Sequence, residues 1–391
     1  MKRGAVLKVL SALVSAAALI VGVASPAFPV AGYEDVPRSH WAAQAVRTVS
    51  GNGWFAPKGT LFRPEKLLTR LQLARALVRA FPPDHVSSEP LVFEDLSPDD
   101  PGFEAANLAV AKGWQRARGT LFDPAGAVTK RDMDRAIVRA LGLRAAELAL
   151  DRLADRDGER LAIPKRFGAL VLGDQLYLHY NHPSPEEGPE RLPRSPITRA
   201  DAAYALAAAA AASSSWLLPS MDRYTTIALP RMNDRRRAVV EFGLRWTGWA
   251  YVYGGEWHRP TPDGYCCGAQ TVGGFDCSGF VWWTLRRGDE LYDNTNVRPY
   301  RGWTLDERTA STQAAAADTR IKVADLKPGD IVFFDTDGEG SGWHSIDHSG
   351  VALGNGWMVH SSGGRAGVTV DKIDDGWWRD AYKWGRRVIG T

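Results

Sequence analysis

Hydrophobic residues recur along residues 33–212 at the three- and four-residue spacing of amphipathic helices, and loops that contain glycine or proline separate these stretches. The spacing predicts helices near 41–50 and 103–112. Two further helices are predicted to begin after Thr69 and Thr129, because threonine is a preferred N-cap residue. The first half of the chain is therefore predicted to be all helical.

The second half has a different pattern, in which helices and strands are mixed. One apolar side along 235–247 and a dense apolar run along 277–285 predict two helices. The run of β-branched and aromatic residues at 331–334 predicts a strand, and 348–353 with 357–362 predict a hairpin around a glycine-rich turn. This mixture predicts an α+β domain.

The helical half contains an internal repeat. The segment 59–64, Gly-Thr-Leu-Phe-Arg-Pro, returns 60 positions later as 119–124, Gly-Thr-Leu-Phe-Asp-Pro, and 33–36 returns as 93–96. A third, blurred copy ends in an alanine-rich helix. The predicted boundaries are 33–82, 93–142 and 151–212 for the three repeats, 213–228 for a serine-rich linker and 229–391 for the second domain. Repeats of this size stack and share one hydrophobic core, and three copies are enough to form a stable core.

Composition and targeting signals narrow the class of protein. A net charge of +3 over 391 residues is too small to predict nucleic-acid binding. Residues 1–27 have a positive start, a short apolar stretch and small residues before a cleavage point, which predicts a secretory signal peptide. The apolar stretch is shorter than a membrane-spanning helix needs, so we expect cleavage near Ala27 and no stable membrane insertion afterwards.

The chain has three cysteines, and one of them has the setting of a nucleophile. Asp276 is a predicted N-cap, which places Cys277 in the first turn of a helix, where the helix dipole favours thiolate. The Asp276 charge opposes this effect, so a partner base is needed. Cys266 and Cys267 are adjacent and either form a vicinal disulfide or stay reduced. No metal-binding spacing is present, so we predict neither a metal nor an organic cofactor.

The candidate base lies on the predicted hairpin. If the loop is 354–356, Leu353 faces Trp357 and His348 faces Ser362. His360 is two positions from Ser362 and therefore lies on the same face of the sheet as His348. Two histidines that are close across a hairpin fit a general base and the group that orients it.

The repeats resemble S-layer homology repeats, on the aromatic-x-Asp-Val opening, a Trp, the loop with Phe-x-Pro, and Thr-Arg before the second helix. The resemblance implies an all-α pseudo-threefold helical prism that binds anionic secondary polysaccharide of the bacterial cell wall. By position it implies that Arg70, Lys130 and Arg199 hold acidic sugar groups, with Trp41 beside them. Lys130 departs from the family's Arg, and the third repeat has lost its aromatic opening.

The second domain resembles the NlpC family of cell-wall peptidases, which have a papain-like fold. The motifs are Tyr-Val-Tyr-Gly-Gly at 251–255, Phe-Asp-Cys-Ser-Gly at 275–279, Leu-Lys-Pro-Gly-Asp-Ile-Val-Phe-Phe at 326–334, His-Ser-Gly-Val at 348–351 and Val-His-Ser-Ser at 359–362. The resemblance implies an α+β domain with an antiparallel sheet. It also implies that Cys277 is the nucleophile, His348 the base, His360 the orienting residue and Tyr251 a donor to the oxyanion. An insertion at 256–273 and a long polar segment at 289–318 depart from the family pattern.

Together these features predict a secreted, wall-associated enzyme of the bacterial envelope. Family members cleave the bond between D-isoglutamate and the following diamino acid in peptidoglycan stem peptides, so those peptides and the wall polysaccharide are the expected partners. Two alternatives stay open. The chain is a wall-binding scaffold with an inactive peptidase-like domain, or it is an amidase or transpeptidase acting on another wall substrate.

Overall fold

The computed structural model describes residues 32–55, 59–83, 91–182, 190–286, 305–338 and 340–390. The predicted signal peptide and residues 289–304 of the long polar segment lie outside these ranges. Within them, no helix is long and apolar enough to cross a membrane.

The first half is built from helices, as its periodicity predicts. They are α1 (Ala43–Gly51), α2 (Arg70–Ala80), α3 (Phe103–Ala111), α4 (Lys130–Ala140), α5 (Arg144–Asp151), α6 (Phe167–Gln175) and α7 (Arg199–Ser213). Thr69 caps α2, because its side chain accepts a hydrogen bond from the Gln72 amide. Thr129 occupies the equivalent position before α4, but its hydroxyl donates to Asp132 instead.

The repeated motifs have a physical reason. The carboxylate of Asp35 accepts hydrogen bonds from the amides of Phe62 (2.8 Å) and Arg63 (2.6 Å). One repeat later, Asp95 accepts from Phe122 (2.8 Å) and the next residue (2.6 Å). The aspartate that opens each repeat therefore fastens the loop that contains the Phe-x-Pro sequence.

Three equivalent segments meet at the centre of the repeats. The amide of Leu68 donates to the Ile197 carbonyl, Ile197 donates to Val128, and Val128 donates back to Leu68, over 2.9, 2.9 and 3.0 Å. These bonds form a closed ring with one member from each of the three repeats. The ring agrees with a threefold arrangement, while the assignment as a helical prism stays a prediction.

The second half is an α+β domain. Its helices are α8 (Leu217–Ser220), α9 (Asp234–Leu244), α10 (Cys277–Arg286), α11 (Ala310–Ala315) and α12 (Gly376–Ala381). Its strands are β1 (Ala250–Tyr251), β2 (Glu256–Trp257), β3 (Thr261–Gly264), β4 (Gly268–Gln270), β5 (Gly274–Phe275), β6 (Ile331–Phe334), β7 (His348–Gly354), β8 (Trp357–Ser362), β9 (Gly367–Lys372) and β10 (Tyr382–Arg386).

Eight of these strands form one sheet, in the order β10-β6-β7-β8-β9-β1-β5-β2. The prediction of an antiparallel sheet is wrong in one place, because β1 pairs with β5 in parallel and the sheet is mixed. The parallel pair arises because the chain crosses from β1 through β2 and the insertion before it returns as β5. Strands β3 and β4 form a separate hairpin within that insertion.

The segment predicted as a linker is folded. Helix α8 continues into a 3-10 helix, Met221–Thr226, in which Tyr224 is fully buried. The Tyr224 hydroxyl donates to the Val370 carbonyl of β9 over 2.8 Å. Hydrophobic residues of both halves belong to one continuous core, and buried Arg237 of α9 is paired with Asp155 of the third repeat. The two halves therefore pack tightly against each other.

Candidate active site

Cys277 is the first residue of α10, directly after β5. The side chain of Asp276 accepts a hydrogen bond from the Gly279 amide at 2.6 Å, which confirms Asp276 as the cap of this helix. Gly279 must lack a side chain, because a Cβ there would lie 2.0 Å from the Gly255 carbonyl oxygen. The Cys-Ser-Gly sequence thus lets the helix start pack against the Tyr-Val-Tyr-Gly-Gly loop.

Cys277 is a free cysteine, and the residue as a whole is half-buried. Its Sγ donates to the Asp347 carbonyl over 3.7 Å, one residue before His348. Burial of the sulfur raises the pKa of the Cys277 thiol to about 12, and the Asp276 carboxylate adds to the rise. The backbone amides of Ser349 and Ser278 oppose it. A base must therefore take the thiol proton when the sulfur attacks.

The two hairpin histidines are hydrogen-bonded to each other. Strands β7 and β8 pair in the predicted register at Val351–Val359 and Ala352–Met358. The predicted pairing of Leu353 with Trp357 is wrong, because a bulge next to the turn places Gly354 opposite Trp357. Nε2 of His348 lies 2.8 Å from Nδ1 of His360. His360 is fully buried and His348 is 9% exposed. The predicted placement of both histidines on one face is confirmed.

A carboxylate continues this line of polar groups. Nε2 of His360 lies 3.3 Å from Oδ2 of Asp371, which is on the neighbouring strand β9. Asp371 can only accept a hydrogen bond when it is ionised, so Nε2 of His360 carries the proton. Nδ1 of His360 then accepts from Nε2 of His348. This leaves Nδ1 of neutral His348 without a proton, and that is the state in which a base must be.

Trp378 of α12 covers the two histidines. Its ring centroid lies 5.1 Å from that of His348 and 4.8 Å from that of His360, with the His360 ring at 88° to it. Burial under such neighbours lowers the pKa of His348 well below that of an ordinary histidine, and His360 adds to the effect. His348 therefore stays neutral at neutral pH.

Arg308 connects the insertion to the start of α10. Its Nη1 lies 3.1 Å from Oδ1 of Asp276 and 3.0 Å from Oγ of Ser278. The same guanidinium pairs with Glu256 of β2 and lies over the Tyr265 ring, 4.4 Å from its centroid. Arg308 therefore balances the charge of Asp276 beside Cys277.

Tyr251 ends β1, beside Phe275 of β5, which leads into the Cys277 helix. Burial raises the pKa of the Tyr251 phenol well above its ordinary value, and the nearby Cys277 adds to the rise. The phenol is therefore protonated and can donate a hydrogen bond. The role of Tyr251 at the oxyanion stays a prediction.

The cysteine pair lies in the inserted hairpin. Cys266 and Cys267 are joined by a disulfide, so Cys277 is the one free thiol of this chain. A Cβ at Gly254 would lie 2.6 Å from Sγ of Cys266, which puts the disulfide against the Tyr-Val-Tyr-Gly-Gly loop. Within the described residues, no group of three or more His, Cys, Asp or Glu side chains could hold a metal ion.

Two of the predicted polysaccharide-binding cations have equivalent contacts in the repeats. Nε of Arg70 donates to the Phe122 carbonyl (2.7 Å), and Nε of Arg199 donates to the Phe62 carbonyl (2.8 Å). Each guanidinium also lies over the ring of the same phenylalanine. Arg199 is only 8% exposed, whereas Arg70 is half-buried. Both cations hold the next repeat's loop in place.

The ammonium group of Lys130 does not lie at the protein surface. Lys130 is 2% exposed, its Nζ donates to the Gly248 carbonyl of the second half at 3.0 Å, and it lies 3.6 Å from Oδ1 of Asp174. This burial contradicts the expectation that Lys130 holds an acidic sugar, because the lysine is used at the junction between the halves. Trp41 is partly buried, and its ring stacks on Tyr180 with centroids 5.0 Å apart.

Sequence reasoning missed three residues of the site, namely Asp371, Trp378 and Arg308. Asp371 had a signal, since it alternates with Thr369, which is paired with His360 in the sheet. If a third strand had been predicted after the hairpin, Asp371 would have been placed on the same face of the sheet as His348 and His360. Trp378 and Arg308 come from segments without a periodic pattern, so only the fold brings them to the site.

The NlpC/P60 family profile matches residues 248–387, the part of the chain that contains this site. The probable endopeptidase NlpC of Escherichia coli (strain K12) is 33% identical over 132 residues, which cover 34% of this chain and 71% of that protein. The chain belongs to the NlpC/P60 family. The S-layer homology domain profile matches residues 32–74, which cover most of the first repeat.

Other NlpC/P60 relatives are larger than the shared segment. The murein DD-endopeptidase MepH of Escherichia coli (strain K12) is 33% identical over 30% of this chain and 37% of its own length. The bifunctional muramidase/DL-endopeptidase CwlT of Bacillus subtilis (strain 168) is 31% identical over 38% of this chain and 35% of its own length. The chain thus spans little more than a third of these two proteins.

Two solved structures are similar to part of this chain. The peptidoglycan hydrolase RipB from Mycobacterium tuberculosis is 27% identical and aligns over 41% of this chain and 70% of its own, with a TM-score of 0.28. The NlpC/p60 domain of the peptidoglycan hydrolase SagA is 27% identical over 40% of this chain and 99% of that domain, with a TM-score of 0.25.

Proposed function

We propose that the chain is a secreted peptidoglycan hydrolase that cleaves stem peptides at the D-isoglutamyl–diamino acid bond and is held at the bacterial cell wall by its S-layer homology repeats. The observation that carries the proposal is the line of polar groups behind Cys277. His348 and His360 are 2.8 Å apart, and His360 lies 3.3 Å from Asp371. Such a line prepares a neutral imidazole to take a proton from a thiol.

The reaction that these groups support is acyl transfer. The Cys277 sulfur attacks the peptide carbonyl while Nδ1 of His348 takes its proton. Amides at the start of α10 and the Tyr251 hydroxyl stabilise the oxyanion. The His348 imidazolium then protonates the leaving amine, and water releases the acyl group. Asp371 and His360 support the transient positive charge on His348.

The names of the relatives support a cell-wall peptide as the substrate. They leave two candidate bonds, the DL bond and the DD bond. CwlT is named a DL-endopeptidase and MepH a DD-endopeptidase. We favour the DL bond because the family resemblance of the site motifs implies it. The folded insertion, with β3, β4 and the disulfide, lies beside Arg308 and is the part of this chain that can reshape the substrate cleft.

The test is digestion of purified muropeptides by the full-length chain, with mass spectrometry of the products. Cleavage between D-isoglutamate and the diamino acid is expected, and Cys277→Ala should abolish it. The double variant Cys266→Ser/Cys267→Ser is the matched control, because it removes the other two sulfurs and should keep activity. Products cut at another bond would point to a DD-endopeptidase or an amidase. Intact muropeptides after incubation with the wild-type chain would favour the scaffold alternative.

A further inference from the structure

Asp371, the last group in the line behind Cys277, is held by residues from outside the sheet. Asp371 is 1% exposed, and so it has no bulk water to stabilise its charge. The groups that surround it come from the 3-10 helix after β8, from the segment between the halves and from the third repeat. The repeat half therefore reaches the back of the catalytic line.

Gln175, the last residue of α6, is the centre of this contact. It is fully buried, and its Nε2 donates to the Val370 carbonyl over 3.1 Å, next to Asp371. Its main-chain oxygen accepts a hydrogen bond from Nη1 of Arg365 at 2.9 Å. Its side-chain oxygen accepts one from Nη2 of Arg223 at 3.3 Å. One glutamine thus joins the third repeat, the segment between the halves and β9.

Two guanidinium groups face the Asp371 carboxylate. Nη2 of Arg223 lies 3.7 Å from Oδ1, and Nε of Arg365 lies 3.9 Å from Oδ2. Burial by itself would raise the pKa of Asp371, but Arg365 together with hydrogen bonds from His360 and Gln175 outweighs it and holds the pKa well below the ordinary value. Asp371 is therefore ionised at neutral pH.

We propose that Gln175 and Arg223 are positioning residues of the peptidase, which keep Asp371 ionised and oriented so that His360 holds His348 in its proton-accepting tautomer. This inference rests on the proposed function. It makes the third repeat and the segment Met221–Thr226 part of the catalytic framework. An Asp371 that turns away would let the His360 ring rotate or change tautomer, and His348 would then lose the partner that fixes its own proton.

The experiment compares full-length variants of Arg223, in the segment between the halves, and of Gln175, in α6. Arg223→Gln keeps hydrogen-bonding groups but removes the charge, Arg223→Lys restores the charge, and Gln175→Met removes the hydrogen bonds at similar volume. Arg231→Gln is the matched control, because Arg231 lies shortly after this segment but pairs with Asp157 at the surface. We expect kcat on muropeptides to fall about tenfold in Arg223→Gln and Gln175→Met, with little change in KM. Arg223→Lys should recover most of the loss, and Arg231→Gln should match the wild type.

A second readout needs no substrate. Iodoacetamide reacts with Cys277 as the one free thiol, and the pH profile of the reaction reports how the imidazole assists it. The titratable and charged groups around Asp371 are His360, Arg365, Arg223 and Tyr224, with Asp375 acting on Arg223. We expect the profile to shift in Arg223→Gln and Gln175→Met but not in Arg231→Gln.

The outcomes separate this proposal from the proposed function. A shifted alkylation profile in a protein whose wild type leaves muropeptides intact would support the positioning role and reject the hydrolase. Wild-type kcat and an unshifted profile in both variants would overturn the positioning role. Equal loss in Arg223→Gln and Arg223→Lys, together with lower melting temperatures, would also overturn it, since the residues would then only stabilise the fold.

A second proposal rests on a different observation, namely a basic cleft between the two halves of the chain. The cleft has a volume of about 1010 Å³, and its cationic lining residues are Arg131, Arg160, Lys165, Arg194, Arg245 and Arg259. Among the described lining residues the one carboxylate is Glu241, which lies 3.6 Å from Nη1 of Arg237 and accepts a hydrogen bond from the Ala162 amide, so its charge is balanced. The described lining of the cleft is therefore predominantly positive.

The cations on the repeat side repel one another. Burial lowers the pKa of Arg131, and the charge of Arg194 lowers it further. Nε of Arg131 is buried without a hydrogen-bond partner. In the ranges that the structure describes, Arg131, Arg160, Lys165 and Arg194 form no ion pair. An anionic ligand would relieve this repulsion and supply the missing acceptors.

We infer that this cleft binds an acidic glycan through carboxylate or phosphate groups, at a site separate from Arg70 and Arg199. The probes are polygalacturonate, which bears carboxylates, a poly(glycerol phosphate) teichoic acid, which bears phosphates, and neutral dextran as the blank. Calorimetry on the full-length chain should show binding of at least one acidic polymer, weakened by salt. The preferred polymer identifies the anionic group.

Charge-removal variants locate the binding. Arg131→Gln/Arg194→Gln should weaken it by about 100-fold or more, because two charge-assisted hydrogen bonds are lost. Arg144→Gln/Arg235→Gln removes two exposed cations that do not line the cleft and should bind as the wild type does. Equal weakening in both double variants, wild-type affinity in the cleft variant, or no acidic polymer bound better than dextran would each overturn the inference. None of these measurements depends on hydrolysis.

Discussion

Nε2 of His348 and Nδ1 of His360 are 2.8 Å apart across the hairpin of β7 and β8, and their rings stand at 87° to each other. This bond determines the proton arrangement of the site, because His360 is also bound to the Asp371 carboxylate. Because Nε2 of His348 is occupied in this way, Nδ1 is the ring nitrogen left for the proposed proton transfer from Cys277.

Replacement of the two histidines should have unequal effects. His348→Ala should lower kcat on muropeptides by about 10²–10⁴-fold, which is the usual contribution of a general base. His360→Asn and His360→Gln should keep part of the activity, because an amide can still hold the His348 ring. Steady-state kinetics on one defined muropeptide would decide. Complete loss in all three variants would mean that His360 does more than orient.

Removal of the Asp371 charge should lower activity, because His360 would no longer be held in the tautomer that orients His348. Asp371→Asn has the same shape, but its amide can donate to His360 and allow the wrong tautomer. We expect kcat to fall by about 10²-fold with KM little changed. Melting curves serve as the control for folding. An Asp371→Asn variant with wild-type kcat would show that the carboxylate is not needed.

The pH dependence of activity should reflect the depressed pKa of His348. Because the pKa of His348 lies well below 6.5, the neutral base persists as the pH falls below that value. The acid limb of kcat/KM is therefore expected below pH 6.5. Stability should follow the same sign, since protonation of His348 favours the unfolded chain, and the stabilising contribution is complete above pH 6.5 and is lost as the pH falls. An acid limb at or above pH 6.5 would contradict the burial argument.

Lys130→Met should destabilise the protein rather than remove a sugar contact. The substitution leaves buried Asp174 and the Gly248 carbonyl without the ammonium, although burial already raises the pKa of Asp174 to about 6. We expect the free energy of unfolding to fall by about 3 kcal/mol in denaturant titrations. Wall binding of the folded variant should be unchanged. Weaker wall binding with unchanged stability would restore the original interpretation of Lys130.

Wall anchoring should depend on Arg70 more than on a nearby exposed cation. Arg70→Ala is expected to reduce co-sedimentation of the full-length chain with purified walls, while Arg47→Ala on exposed α1 surface should not. The wild-type chain should no longer co-sediment with walls whose secondary polysaccharide has been removed by acid. Undiminished binding to stripped walls would mean that the repeats recognise peptidoglycan itself.

Much of the site could be predicted because local patterns specify it. The N-cap Asp276, the helix that begins at Cys277 and the hairpin register depend on neighbours within a few residues, where propensity and spacing decide. The strand period places His348 and His360 on one face without knowledge of the rest of the fold. The 60-residue repeat likewise predicted equivalent loops, which Asp35 and Asp95 fasten in the same way.

The tertiary structure alone decided what surrounds these groups. By sequence Lys130 is equivalent to Arg70, yet it lies at the junction between the halves, because the second half packs there. The serine-rich linker became an ordered helix because Tyr224 finds an acceptor in β9, 146 residues away. Gln175 donates to the carbonyl of Val370, which is 195 residues later in the chain and next to Asp371, and no local pattern predicts such a contact. Spacing determines which side chains share a face, whereas long-range packing determines which charges are buried together.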